Sequence, residues 1–134
     1  LEYGLRATEF ILGQMCSWIQ AEGKKLLVLL TRQASNVIST IEGRPRFDQR
    51  ILDCLARHKL PVVDMLDIHL EDYRSYRITP RQYVDRFYNG HYNPCGNHFL
   101  AFAIKDVVVR WLELNPPTYR DDSVSVAQAS ARLA

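Results

Sequence analysis

The chain has 134 residues, 47% of them apolar and 24% charged, enough to bury one sizeable core, so a single folded unit is expected. Seventeen Lys and Arg against 15 Asp and Glu leave a net charge of +2, too balanced for a nucleic-acid footprint, and no nucleic acid is expected as a partner. No run of about 18 apolar residues marks a membrane span, and Cys16, Cys54 and Cys95 are too widely spaced for a disulfide framework or a zinc ribbon.

Ala7, Phe10, Ile11, Met15, Trp18 and Ile19 recur at helical spacing, with Gly23 as a natural stop, and predict an amphipathic helix packed on a sheet. The continuous apolar run at 26–31 reads as a strand covered on both faces. Ser35, Asn36, Gly43 and Pro45 then read as a loop. Phe47, Ile51, Leu52 and Leu55 mark a second helix, closed by the cationic pair His58 and Lys59. The run at 61–66 is a second buried strand, and Asp67 is placed to cap a short helix after it. Thr79 and Pro80 open a further short helix carrying Tyr83 and Phe87 on one face.

A long helix is expected from Pro94, with Asn93 as its cap. Phe99, Phe102, Ile104, Val107, Val108, Trp111 and Leu112 leave only a narrow polar stripe of Asp106, Arg110 and Glu113, so that helix is expected to be largely buried. Asn115, Pro116 and Pro117 end it, and residues 118–134 have the small, polar composition of a loose tail. Strands alternating with helices imply βαβ units and a parallel sheet. A two-stranded parallel sheet has open edges, which are usually paired or covered. The chain on its own is therefore expected to form a homo-oligomer or a domain-exchanged dimer.

The chemistry concentrates at 88–101. His91 precedes the Asn93-Pro94 helix start, close to the positive end of the helix, a field that favours neutral imidazole able to accept a proton. A histidine that only hydrogen-bonds the turn is the alternative. The succession Tyr88-Asn89-Gly90-His91-Tyr92-Asn93-Pro94-Cys95-Gly96, with Ala101 further on, resembles the last conserved block of the SGNH (GDSL-type) hydrolases, which reads roughly Asp-x-x-His-x-x-Pro-x-Gly. This resemblance extends from Ala7 to about Leu114. It implies the C-terminal portion of a flavodoxin-like three-layer α/β/α fold with a short parallel sheet, with residues 1–117 forming the partial domain and 118–134 the tail. It further implies a serine esterase or lipase-like activity on a small ester or acyl substrate, with His91 as general base and no cofactor.

The resembled pattern is incomplete here. The family's acid stands two or three residues before the histidine, where this chain has Asn89 and Tyr88, and no Gly-Asp-Ser block occurs anywhere. The chain is accordingly expected to be a fragment, or a protein lacking the front half, and inactive as given. Asn89 could hold the imidazole tautomer, and Asp85, Asp64 and Asp67 are the candidate displaced acids. The last two belong to an acidic cluster, Asp64, Asp67, His69, Glu71 and Asp72, near the end of the second strand, where ligands of open parallel sheets bind. Ser35 and Ser39 are the upstream loop serines, and neither sits in a nucleophile turn. Cys95 reads as a packing residue or as a thiol activated by the helix dipole. His91, Cys95 and His98 lie within eight residues but lack a fourth ligand, so no metal is expected. The alternative to a hydrolase fragment is a non-catalytic binding or assembly module on the same scaffold.

Overall fold

A computed structural model describes residues 2–112. The expected tail lies outside the described residues. Helix α1 spans Glu2–Ala21, and strand β1, Val28–Leu30, follows the turn at Gly23. Helices α2 (Ala34–Ile41) and α3 (Gln49–Arg57) lead to β2 (Val62–Asp64), then α4 (Met65–Tyr73) and α5 (Pro80–Val84). A small hairpin of β3 (Tyr88–Asn89) and β4 (His91–Tyr92) feeds α6 (Pro94–Leu112). The described chain is therefore mixed α/β, mostly helical, with a short parallel sheet in which Val28, Leu29 and Leu30 face Val62, Val63 and Asp64.

The local chemistry explains most boundaries. Thr79 and Gln82 form a reciprocal capping box around Pro80, the arrangement that satisfies the first free amides of α5. Lys59 adopts a left-handed backbone with φ 54° just beyond α3, which stops that helix ahead of β2. Asn93 Oδ1 accepts the Gly96 amide at 2.9 Å and fixes the start of α6. Gly96 is buried, and a Cβ there would collide with Phe87 O and the Tyr92 ring, so the first turn of α6 lies directly on the hairpin.

Two apolar cores flank the sheet. Leu30, Ile51 and Leu55 pack with Leu5 and Leu12 of α1 on one side. Val37, Leu66, Tyr83, Val84, Phe87 and Tyr88 form the other, where α2 packs on α4 and α5. Cys16 and Cys54 are buried, and burial pushes the Cys16 thiol up.

Four expectations are corrected. The segment around Ser35 and Asn36 is helix α2, because Val37, Ile38 and Ile41 supply a helical apolar face that docks on α4. Asp64 rather than Asp67 caps α4: its Oδ1 accepts the Leu66 amide at 3.0 Å, and the helix starts directly at the strand's end. The run at 26–31 is not covered on both faces, since Leu29 is 39% exposed. Helix α6 is not largely buried: beyond its first turns few described residues pack against it, and Phe102 stands 58% exposed.

Candidate ligand cleft

A cleft of about 910 Å³ opens outside the C-terminal ends of β1 and β2. One wall is Thr31, Arg32 and Gln33, which leave β1, with Asn36, Ser39 and Thr40 of α2 beside them. The α2–α3 connection contributes Arg44, Pro45, Arg46, Phe47 and Asp48. Leu66 of α4, Tyr88, Gly90, His91 and Tyr92 of the hairpin and Asn97 of α6 complete the lining. Gly90, with φ 75°, makes the tight reversal that sets Asn89 opposite His91 and leaves the His91 side chain exposed at the cleft.

An alternating chain of charges holds the base of the cleft. Asp48 is 1% exposed and receives Arg46 Nε at 3.0 Å and Nη2 at 2.9 Å, with Arg32 Nε at 3.0 Å and Nη2 at 2.6 Å. Burial disfavours its charge, but the hydrogen bonds from Arg46 and Arg32 outweigh that cost and hold the Asp48 carboxyl down to about 2. Arg46 Nη1 also lies 2.7 Å from Asp64 Oδ2, an off-axis ion pair, and 3.5 Å from the exposed Asp67. The Asp48 hydrogen bonds, with burial opposing them, push the Arg46 guanidinium further into its charged form. Arg32 donates its remaining nitrogen to Thr31 O at 2.9 Å. Both arginines are thus committed to holding the α2–α3 connection against the strand ends.

Behind the hairpin lies a polar network that sequence reasoning missed. His69, on α4, is fully buried among Tyr83, Phe87, Tyr88, Tyr92 and Phe99. The Tyr83 hydroxyl donates to Asp72 Oδ2 at 2.8 Å, so it accepts from His69 Nδ1–H at 3.0 Å. His69 Nε2 then accepts from the Tyr92 hydroxyl at 2.8 Å, while the Tyr88 hydroxyl reaches Arg32 O at 3.3 Å. Burial pulls the His69 imidazole down to about 4, against the opposing charge of Asp72, so the ring is neutral at neutral pH. Burial likewise raises the Tyr83 and Tyr88 hydroxyls well above the usual range, which keeps them protonated as donors. The tyrosines at 83, 88 and 92 were the available signal, together with the placement of His69 three and four residues after the buried Leu66 and Met65.

The candidate acids are not gathered around His91. Asp64 caps α4 and pairs with Arg46, and Asp67 is exposed beside the same arginine. Asp85 pairs with Arg81 on α5 at 3.0 Å. Asn89 is exposed on the hairpin and does not line the cleft. The acidic cluster disperses around α4, with Glu71 bonded to Arg74 and Asp72 to Tyr83. Of the two serines, Ser39 lines the cleft with His91, whereas Ser35 does not. Cys95 and His98 belong to a separate, more apolar groove of about 530 Å³ with Tyr76, Phe99 and Phe102, so His91, Cys95 and His98 do not converge. Among the described residues no cluster of three His, Cys, Asp or Glu side chains could hold a metal, and no helix is long and apolar enough to cross a membrane.

No protein-family model, curated protein or solved structure matches the chain.

Proposed function

We propose that the cleft is the histidine-bearing part of a serine ester-hydrolase site, carried on the C-terminal portion of a flavodoxin-like three-layer α/β/α fold. The chain as given binds a small ester or acyl group there without turning it over. The observation carrying this reading is the position of His91. The block that resembles the last motif of the SGNH (GDSL-type) hydrolases lies on a hairpin at a cleft outside the ends of two parallel strands, the place where open α/β sheets bind ligands.

Each requirement of the chemistry assigns a role. A serine attacks an acyl carbon efficiently only when a base takes its proton and a third group holds that base in the right tautomer. His91 supplies the base. The carboxylates that could orient it are bound to Arg46 and Arg81, and Asn89 carries no charge, so the imidazolium would form without an anionic partner. Loss of that charge in a comparable triad lowers turnover by about four orders of magnitude. Ser39 shares the cleft but sits within helix α2, lacking the sharp strand-to-helix turn that exposes a nucleophile. The second reading, a binding or assembly module, is favoured by these same engaged carboxylates and differs in requiring no nucleophile at all.

Labelling with a fluorophosphonate, read by intact mass, separates the two. It should be applied to this chain and to the longest polypeptide its natural reading frame encodes. The hydrolase reading expects labelling of the longer form only, abolished by His91→Ala. No labelling of either would overturn it in favour of the binding module. Labelling of the 134-residue chain that is lost in Ser39→Ala would make Ser39 the nucleophile and overturn the inactivity assigned here.

A further inference from the structure

Helix α1 presents a largely uncovered apolar face, on which the Lys24 ammonium lies 4.6 Å from the centre of the Trp18 ring. Tyr3 is 87% exposed, Phe10 68%, Ile11 56%, Met15 40% and Trp18 56%. At about 100° per residue these five positions fall on one broad arc. It lies opposite the face where Leu5 and Leu12 meet the sheet-side core and Glu9 binds Arg50 and Arg57 of α3. Exposed aromatic side chains scattered singly would need no account, but five large apolar groups in one stripe mark an interaction surface.

We infer that this stripe pairs with the same stripe of a second copy, as an antiparallel α1–α1 contact on a two-fold axis. Four of the five stripe residues exchange in pairs about the stripe's centre, while Met15 falls opposite Arg6. The midpoint between Tyr3 and Trp18 falls between Phe10 and Ile11, so antiparallel overlay sets Tyr3 of one copy against Trp18 of the other. Phe10 of each copy lies opposite Ile11 of the other beside the axis, and Ala7 lies opposite Gln14, leaving room for the aromatic rings. That is the self-complementarity a two-fold interface requires, in which one patch must fit itself. Antiparallel pairing also sets the dipoles of the two helices in the favourable opposed sense.

The area is adequate. Aromatic side chains bury about 150–250 Å² each, so the exposed parts of this stripe offer on the order of 600 Å² per copy. The total of roughly 1,200 Å² reaches the lower end of stable interfaces. A membrane surface is a poorer occupant. Amphipathic surface helices carry Lys and Arg along the polar face, whereas within α1 the single Arg6 is outnumbered by Glu2 and Glu9.

Sedimentation equilibrium of the 134-residue chain over a concentration series tests the pairing. A mass of twice 15.5 kDa is expected at micromolar concentration, and Phe10→Glu and Ile11→Glu should each shift the dimer constant by at least tenfold, with helical circular dichroism unchanged. Because a variant could misfold, a second measurement uses Phe10→Cys in a Cys95→Ser background. Mild oxidation should cross-link it to a covalent dimer, since residue 10 lies beside the axis, one position from its own counterpart, while Gln20→Cys should not cross-link. A monomer at all concentrations, a dimer insensitive to both glutamates, or equal cross-linking at 10 and 20 would each overturn the inference. These outcomes are independent of whether His91 acts on an ester.

Discussion

Asp48 shows how a single side chain decides the shape of a site it does not serve chemically. It is buried, accepts four nitrogen contacts from two arginines, and carries the α2–α3 connection onto the strand ends. Asp48→Asn removes the charge and leaves Arg32 and Arg46 facing each other at an apolar boundary. Breaking a buried pair in this way costs about 3–5 kcal/mol, and urea unfolding should register a loss of that order. At this scale the sequence was half legible. The spacing of His91, Asn93 and Pro94 announced the helix cap and set His91 just ahead of it, because these depend on neighbours within a few positions, but it did not announce the β3–β4 hairpin on which His91 lies. The pairing of Arg32 with Asp48, 16 residues apart, depends on how the chain folds back, and no local pattern encodes it. His69 was hidden for a related reason. Its place in the acidic cluster with Asp67, Glu71 and Asp72 gave no sign of burial, whereas the partners that make it a buried neutral ring lie 14 to 23 residues away.

Elements were legible where their signals were local and missed where tertiary packing overrode them. Helices α1, α3, α5 and α6 announced themselves through apolar spacing, caps and prolines. Helix α2 was masked by Ser35, Asn36 and Gly43, and only Val37, Ile38 and Ile41 betrayed it, residues whose helical face has meaning once α4 is there to receive it. The burial of α6 was overestimated because an apolar composition states what a helix could bury, not what is available to cover it. The start of α4 yields a contrast between adjacent acids. Asp64→Ala removes a cap and an ion pair together and is expected to cost about 1–2 kcal/mol. Asp67→Ala removes one long contact of an exposed side chain and should change stability by less than about 0.5 kcal/mol. Thermal melts of the two variants side by side would distinguish them, and a loss at Asp64 as small as that expected at Asp67 would mean that the cap contributes nothing.

For the molecule as a whole, acid should act in two steps. His69 is held down to about 4 in the folded chain against an ordinary value of 6.5, so the unfolded chain binds a proton that the folded one refuses. Its contribution is complete above 6.5 and is lost as pH falls through 4, on the order of 3 kcal/mol in all. Asp48, held down to about 2 against 3.8, contributes above 3.8 and loses that contribution as pH falls through 2. Urea midpoints measured from pH 7 to pH 3 should therefore decline first between about 6.5 and 4, and His69→Phe should flatten that first decline. A curve of unchanged slope in that variant would remove His69 as its source.

The two arrays of ion pairs in this chain also differ in their exposure to dissolved ions. Glu9 with Arg50 and Arg57, and Glu2 with Arg6, lie where water and counterions reach at least one partner, and at molar salt the Debye length shrinks to about 3 Å, comparable with their separations. The Arg32–Asp48–Arg46–Asp64 series is shielded on most sides, with Asp48 side-chain exposure of 1% and Arg46 of 15%. Molar sodium chloride would consequently loosen the attachment of α1 to α3 while leaving the mouth around His91 the same width, so that brine separates the helix-held flank from the cleft as two regions of unequal resilience.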